Sequence, residues 1–406
     1  MSVQHDPANK RAIASHALSD VKDEAFSQWL DLFRWVAALL VLYAHLTNRF
    51  VTPLADVPAG ERNIASLAAG FLSGFSHQAV MVFFVLSGYL VGGALVREVK
   101  KTNAINVPSY LTKRFIRLWT VLLPAFLLSF ICFWISISVY EADKTGVFSA
   151  QLSQSGSPGT LLCNVFFMQT FACQQFAGNG PLWSLFNEFW YYIGFLALAA
   201  AAVYANTVGR IAIALAVCSF FALLSVYQFD GSKLGPYFLI WLLGVWSAST
   251  PKPFVRSSLF WAAVLVVFLL AVRLGIRRAW WDANPLGSFG IDLLLGIIFC
   301  NLLAAMRFSS LKRPPLASVN VFLASFSFSL YCTHVPILNL ITAMRVHQSP
   351  GSAVLVNLTT PSEWMYVLWP FVLCIVVAFV FAHFTERHTD AIRRRFNSLF
   401  IQMRQT

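Results

Sequence analysis

Residues 29–46 read WLDLFRWVAALLVLYAHL and form the first long apolar run of the chain. Within this run Arg34 and His45 are eleven residues apart, which places both on one face of an α-helix. At the helical rise per residue, the two side chains stand roughly 16 Å apart along the axis. Because ionisable residues inside a membrane span are costly and usually functional, this stripe predicts a polar path through the bilayer.

The composition indicates a membrane protein. Of 406 residues, 58% are hydrophobic and 11% are charged, whereas a soluble domain carries about 25% charged residues. Apolar runs recur along nearly the whole chain, which predicts an all-α polytopic protein with about ten transmembrane helices. The predicted spans cover residues 30–48, 78–96, 117–139, 185–205, 209–227, 234–250, 257–273, 288–306, 319–342 and 364–384.

The net charge of +12 reflects topology and does not indicate nucleic-acid binding. With both termini in the cytoplasm, 20 of the 28 Lys and Arg residues other than Arg34 fall on the cytoplasmic side, as the positive-inside rule expects. The exception is the group Arg273, Arg277 and Arg278, which this topology places outside. Segment 161–176 is apolar, but an eleventh span there would invert everything downstream, so we interpret it as interfacial or re-entrant.

The first 29 residues lack the apolar core of a signal peptide, so the first span is expected to be an uncleaved anchor. Cys163 and Cys173 lie in the long external loop and could form a disulfide in an oxidising compartment. No Cys/His spacing fits a zinc site, and no metal is predicted. Five further cysteines fall in predicted spans and are expected to act as small apolar residues: Cys132, Cys218, Cys300, Cys332 and Cys374.

The ionisable residues of the first span each have two interpretations. Arg34 can pair with Asp31 three residues earlier, or it can extend to the lipid headgroups. Headgroup contact does not explain His45, near the outer end, where an imidazole could exchange a proton near neutral pH. A lone histidine in a span is nevertheless more often packed than catalytic.

The second span contains FFVLSGYLVGG at residues 83–93. Gly88 and Gly92 form a small-xxx-small pair that lets helices approach closely, and packing alone is the simpler explanation for them. Ser87 and Tyr89 could add hydrogen bonds between helices.

At the inner mouth of the third span, Arg114 and Arg117 are three residues apart and share a helical face. Two guanidinium groups there could hold a phosphate-bearing cytoplasmic ligand. The alternative is a plain cytoplasmic anchor, the commoner role of basic loops.

The fourth span opens with PLWSLFNEFWYY, which starts at Pro181. The topology puts Glu188 about one turn into the membrane from the outside, where a buried carboxylate needs a partner or a proton. Ser184 and Tyr192 flank it at i−4 and i+4. Asp292, also in the outer half, is expected to be a structural partner.

The ninth span carries His334 in its outer half, after Ser327, Ser329 and Tyr331, which are expected to form hydrogen bonds between helices.

The ionisable residues of these motifs fall into two groups. The cations are predicted at the cytoplasmic side and the proton-handling residues toward the outside, as expected if an anionic cofactor enters from the cytoplasm. The cations are Arg34, Arg114 and Arg117, and the proton-handling residues are His45, Glu188 and His334.

Taken together, these segments resemble acyltransferase family 3, bacterial membrane proteins that O-acylate surface polysaccharides, O-antigens, lipo-oligosaccharides and some macrolides. The likeness runs in order from about residue 27 to 390, between cytoplasmic tails at 1–26 and 391–406. The matching motifs are Arg-x10-His (Arg34, His45), Phe-Phe-x-x-Ser-Gly-Tyr-Leu (83–90), Arg-x-x-Arg (Arg114, Arg117), Leu-Trp-Ser-Leu-x-x-Glu (182–188, including Trp183) and Ser-x-Ser-Leu-Tyr-x-x-His (327–334).

The resemblance implies a bacterial inner-membrane enzyme with acyl-CoA, by default acetyl-CoA, as donor and a glycan or lipid-linked saccharide as acceptor. Arg34 would help hold the donor, His45 would be catalytic, and Arg114 and Arg117 would bind the coenzyme A phosphates. The alternatives are a carrier that passes acyl groups to a separate extracytoplasmic transferase, and a transporter or flippase without chemistry. The chain departs from the family at 79–81, where Ala-Val-Met replaces Gly-Val-Asp or Gly-Val-His.

Overall fold

The computed structural model describes residues 7–227, 233–250, 253–275, 280, 283–309, 311–349 and 355–402. Arg277 and Arg278, two of the three arginines named above as the exception to the positive-inside rule, lie beyond these ranges. The helices are α1 (Pro7–Phe50), α2 (Ile64–Ser73), α3 (Ser76–Ser87), α4 (Gly93–Thr102), α5 (Val107–Ser138), α6 (Ala150–Ser153), α7 (Pro158–Val165), α8 (Trp183–Tyr204), α9 (Thr207–Tyr227), α10 (Leu234–Ser249), α11 (Ser258–Gly275), α12 (Pro285–Phe308), α13 (Ala317–Ala324), α14 (Ser327–Gln348), α15 (Pro361–Phe384) and α16 (Thr389–Gln402).

The described helices confirm the all-α polytopic class. Eight segments are long and apolar enough to cross a membrane, and α13 with α14, bent by 56°, makes a ninth. The remaining predicted span is α10, an apolar helix of only 16 residues. We call the end of the bundle that carries the basic 97–117 connection the inner end, and the opposite end the outer end.

Helix α1 packs mainly against α3, α13 and α14, and only slightly against α12. Helix α10 packs against α3 and α12, and α14 packs against α5 and α15. Helix α11 buries none of its apolar window, so it faces lipid, as an apolar helix without a polar face must. Arg34 and His45 on α1 are both partly buried.

The segment before α8 enters the bundle without crossing it. Asn179 is fully buried and donates from Nδ2 to Ser129 Oγ (3.2 Å) on α5 and to the Cys332 carbonyl (2.8 Å) on α14. Residues 176–182 form two short 3₁₀ turns beside Ser129 of α5 and Cys332 of α14. Non-helical backbone is tolerated at membrane depth only where protein covers it, and here it is covered. The loop thus turns into the interior of the bundle, and α8 begins beside buried residues of α5 and α14. We call residues 163–182 the re-entrant loop.

This re-entrant loop is held at its base by a disulfide between Cys163 and Cys173. Its backbone contacts two tryptophans, since Trp119 Nε1 donates to the Val165 carbonyl (3.3 Å) and Trp190 Nε1 to the Phe167 carbonyl (3.0 Å). The loop therefore packs on both α5 and α8. Of the other five cysteines, Cys132, Cys300, Cys332 and Cys374 are buried, whereas Cys218 is exposed.

Candidate active site

A close crossing of α3 and α10 positions Ser87. A Cβ atom on Gly88 would collide with the carbonyl oxygen of Trp241, and one on Gly244 would collide with that of Val85. The two backbones touch here, which confirms the packing role predicted for Gly88. The chain then follows a π-helical turn, Gly88–Gly92, a distortion that is frequent at functional sites.

An inner cavity of about 90 Å³ lies beside this crossing. Its polar lining includes Arg34 from α1, Arg117 from α5 and Glu188 from α8. The remaining lining residues are Val80, Phe83, Phe84, Leu86, Ser87, Leu90, Val91, Ser184, Leu185, Tyr192, Ser327, Phe328 and Tyr331. The cavity thus brings together residues from all five motifs.

Glu188 is held by one carboxylate oxygen. Ser87 Oγ donates to Oε1 of Glu188 at 2.5 Å, and the Tyr192 hydroxyl donates to the same atom. Trp241 Nε1 in turn donates to Ser87 Oγ (3.1 Å). Within the described part of the chain, no hydrogen bond reaches Oε2, so the second oxygen is available to a ligand in the cavity.

The placement of Glu188 differs from the expectation. The topology put it near the outer face with the histidines, but it shares the inner cavity with Arg34. The reason is the re-entrant loop: since α8 begins in the interior, a residue one turn along it lies deeper than span counting from the surface assumes. The prediction that Glu188 lies toward the outside, like His45 and His334, is therefore wrong, because Glu188 lines the same cavity as Arg34 and Arg117.

Two arginines in one cavity repel each other unless anions neutralise them. The Arg34 Nη1 lies 3.4 Å from Asp31 Oδ1, the pair predicted from the i,i+3 spacing. Arg34 also interacts electrostatically with Arg117 and with Glu386, which accepts from Ser329 N (3.2 Å) and Oγ (2.9 Å). Sequence reasoning missed Glu386, although its place just past the last span was a usable signal.

Arg114 and Arg117 have different surroundings. Arg117 lines the inner cavity, whereas Arg114 does not. The Arg114 guanidinium lies over the rings of Tyr110 (5.5 Å) and Tyr192 (6.0 Å), and its buried Nε has no hydrogen-bond partner. Arg114 thus contacts the site through the ring of Tyr192, whose hydroxyl donates to Glu188.

A separate outer cavity of about 1220 Å³ contains His45. His45 Nδ1 lies 3.2 Å from Nε2 of the buried His334, with the two rings stacked at 5.2 Å between centroids. Arg49 Nη1 donates to the His45 carbonyl (3.0 Å), and its Nη2 donates to Asn339 Oδ1 (2.8 Å). These bonds join α1 to α14 around the imidazole pair.

The hydrogen bonds determine which ring nitrogens carry protons. His334 Nδ1 lies 2.8 Å from the Leu330 carbonyl, which can only accept, so this nitrogen carries the hydrogen. In the neutral pair, His334 Nε2 then has a lone pair and accepts from His45 Nδ1–H. Nε2 of His45 is left unprotonated, and no described residue bonds it. This is the tautomer that a general base at Nε2 requires.

The two cavities approach each other around Tyr331. Its hydroxyl donates to the Pro181 carbonyl (3.0 Å) and is 2.6 Å from Ser184 Oγ. The Tyr331 ring lines the inner cavity and lies 6.1 Å, centroid to centroid, from His334. Tyr331 therefore contacts both the inner cavity, which Arg34 and Arg117 line, and the imidazole pair.

The other predicted site residues lie outside both cavities. Asp292 is buried, and both of its carboxylate oxygens lie 2.9 Å from Nε2 of His77, which lines the outer cavity. Its described partners are therefore His77 and Tyr237, and Glu188 is not among them. Trp183 packs edge-on against Phe84 at 6.0 Å, and Tyr89 is buried. His77 was not predicted, because nothing in the sequence indicated Asp292 as its neighbour.

Comparison with known proteins agrees with this geometry. The family model described as an acyltransferase domain, that of acyltransferase family 3, matches residues 27–394, nearly the whole chain. The chain matches no curated protein and no solved structure. Since the match covers all the segments that build the two cavities, the chain belongs to acyltransferase family 3 and is a multi-pass membrane acyltransferase.

Proposed function

We propose that this protein is an O-acyltransferase that moves an acyl group, by default acetyl, from acyl-CoA to a hydroxyl of a surface or exported glycan at the bacterial inner membrane. The observation that carries the proposal is the position of His45. It lines a cavity large enough for several sugar rings, and no described residue bonds its Nε2. A base in that position is what an acceptor hydroxyl needs.

The donor would approach from the inner end. Arg34 and Arg117 present two guanidinium groups to one cavity, and such groups favour phosphate oxygens. The inner cavity is far smaller than the roughly 300 Å³ usual for ligand sites, so it suits a thin extended chain rather than a ring. A flexible arm of about 16 Å, the rise from residue 34 to residue 45, would carry a thioester from these cations to His45.

The reaction then follows from the imidazole. His45 Nε2 takes the proton of the acceptor hydroxyl, and the hydroxyl oxygen attacks the thioester carbon. A C–O ester bond forms, the C–S bond breaks, and the leaving thiolate takes the proton back from His45. Throughout the reaction, Nε2 of His334 accepts from Nδ1–H of His45 and so orients the His45 ring.

The test uses purified protein in detergent with radiolabelled acetyl-CoA and a surface-saccharide extract of the source cells. Wild type should acylate the saccharide and release free thiol, while Arg34→Ala and His45→Ala abolish both; loss of a general base alone lowers the rate by about 10²–10⁴-fold. The control is Lys144→Ala, an exposed lysine paired only with Glu141 among the described residues. Full transfer by folded His45→Ala would exclude the histidine from the mechanism.

A carrier function is the second candidate, favoured by the fact that the two cavities share no described lining residue. A carrier would transfer the acyl group to a separate extracytoplasmic transferase and not directly to the glycan. Transfer to saccharide by the purified protein alone argues against it. Thiol release that yields acylated saccharide only when an extracytoplasmic extract is added argues for it.

A further inference from the structure

The described ionisable residues that line the outer cavity are all arginines and histidines. Besides His45, its lining includes Arg62 from the connection between α1 and α2, His77 from α3 and Arg273 from α11. No Asp or Glu occurs among the described residues that line it. The nearest buried carboxylate, Asp292, is engaged by His77 and Tyr237 and does not line the cavity.

Both arginines are anchored, and no described carboxylate forms an ion pair with either of them. Arg62 donates from Nε to the Val57 carbonyl (3.0 Å) and from Nη2 to that of Ala55 (3.4 Å). Arg273 donates from Nε to the Phe71 carbonyl (2.9 Å) and from Nη2 to that of Gly70 (2.6 Å). Each guanidinium is thus fixed along one edge by neutral acceptors, and Nη1 has no partner among the described residues.

Topology makes the position of Arg273 unusual. The positive-inside rule counts it as an exception at the outer end, so retention in the cytoplasm does not explain it. Capping of α2 explains two of its donors, since the last carbonyls of a helix attract cations. Capping does not explain why a second arginine, on a different segment, is anchored in the same way at the same cavity.

We propose that the outer cavity binds an anionic saccharide, one whose carboxylate or phosphate group is held between Arg62 and Arg273 while a hydroxyl lies near His45. This deepens the proposed function, on which the hydroxyl's role as acyl acceptor rests. The hydroxyl and amide groups of Thr47, Asn48, Ser73 and Ser76 in the same lining suit sugar hydroxyls. Charge-assisted bonds from guanidinium groups are the strong ones, so the anion would determine which glycan is selected.

The test is a binding measurement without donor, by calorimetry on the purified full chain in detergent. The probes are a glucuronate-containing oligosaccharide and the same oligosaccharide with its carboxylates reduced to alcohols. At low salt, wild type should bind the acidic form roughly tenfold or more tightly than the reduced form. Raising the salt should narrow this preference, because salt screens charges near solvent.

Variants assign the preference to the two arginines. Arg62→Gln and Arg273→Gln should each remove most of it, whereas Arg62→Lys should keep part of it and Lys144→Gln should leave it unchanged. The ratio of the two affinities is compared within one preparation, so partial misfolding of Arg273→Gln does not affect the result. Among the described residues, Arg62 bonds loop carbonyls alone, so it supplies the variant least coupled to folding.

Equal affinity of wild type for the acidic and reduced probes would overturn the anionic site. So would a loss of the preference for the acidic probe that is as large in Lys144→Gln as in Arg62→Gln. The failure of the proposed function is distinguishable. If the protein discriminates between the probes but never transfers an acyl group, the anionic site is supported and the proposed acyltransferase function is contradicted. If it acylates both probes equally, the proposed function is supported and the anionic site is contradicted.

Discussion

His45 and His334 are joined by a ring-to-ring hydrogen bond, with 3.2 Å between Nδ1 of His45 and Nε2 of His334. The bond connects α1 to α14 across 289 residues of sequence. Because the Leu330 carbonyl sets the tautomer of His334, the ring of His334 in turn sets that of His45. The proposed base therefore depends on a second histidine that lines neither cavity.

The first prediction tests this dependence with two substitutions of His334. His334→Ala removes the acceptor for Nδ1–H, so His45 loses its orientation, and kcat should fall on the order of 10²-fold. In His334→Gln, the side-chain oxygen can accept from His45 and the amide can donate to the Leu330 carbonyl, so most of the activity should remain. Steady-state kinetics on purified variants measures both. Equal losses in the two variants would show that His334 acts through packing alone.

The second prediction concerns the oxygen of Glu188 that Ser87 and Tyr192 share. Ser87→Ala and Tyr192→Phe each remove one donor to Oε1, so each should lower kcat/KM if Glu188 takes part in transfer. Because both act on one atom, the double variant should differ from the sum of the single effects by about 0.5–3 kcal/mol. A double-mutant cycle on kcat/KM measures this coupling energy. Additive effects would indicate that the two donors act independently, and Glu188→Gln shows whether the carboxylate matters at all.

Hydropathy and spacing predicted much of this molecule from the sequence. The spans, the packing role of Gly88 and the pair Asp31–Arg34 all depend on short-range patterns. The depth of Glu188 did not follow, since it requires knowing that α8 begins inside the bundle.

Contacts between residues distant in the chain also could not be predicted from the sequence. The contacts His77–Asp292 and Ser329–Glu386 join residues 215 and 57 positions apart, and a single sequence shows the faces of helices but not which faces meet.

The third prediction concerns the disulfide at the base of the re-entrant loop. Replacing both Cys163 and Cys173 by Ser frees a loop of about ten residues, which should cost roughly 2–3 kcal/mol of stability. The Phe167 ring of this loop stacks on Phe189 of α8 at 4.2 Å, so activity should fall with stability. Thermal unfolding in detergent, with and without reductant, measures the effect. Cys218→Ser is the control, because this cysteine is free and exposed. If reductant lowers the melting temperature of the double variant as much as that of wild type, the bond is not the cause.

The last prediction tests the crossing that positions Ser87. In Gly88→Ala the new methyl group would meet the carbonyl oxygen of Trp241, a backbone atom that moves only if α3 and α10 separate. Overpacking of this kind costs about 1–3 kcal/mol, so the melting temperature in detergent should fall. Separation would also lengthen the bond from Trp241 Nε1 to Ser87, so kcat should fall among the molecules that remain folded.

The matched control is Gly159→Ala, since Gly159 lies in a helix and has nothing within 4 Å of an added Cβ. Alanine there should leave stability unchanged or raise it slightly, because alanine favours helix more than glycine does. Gly244→Ala tests the same crossing from the other side, where the methyl group would meet the Val85 carbonyl. If Gly88→Ala and Gly244→Ala are as stable and active as Gly159→Ala, the two helices do not approach closely, and Ser87 is positioned in some other way.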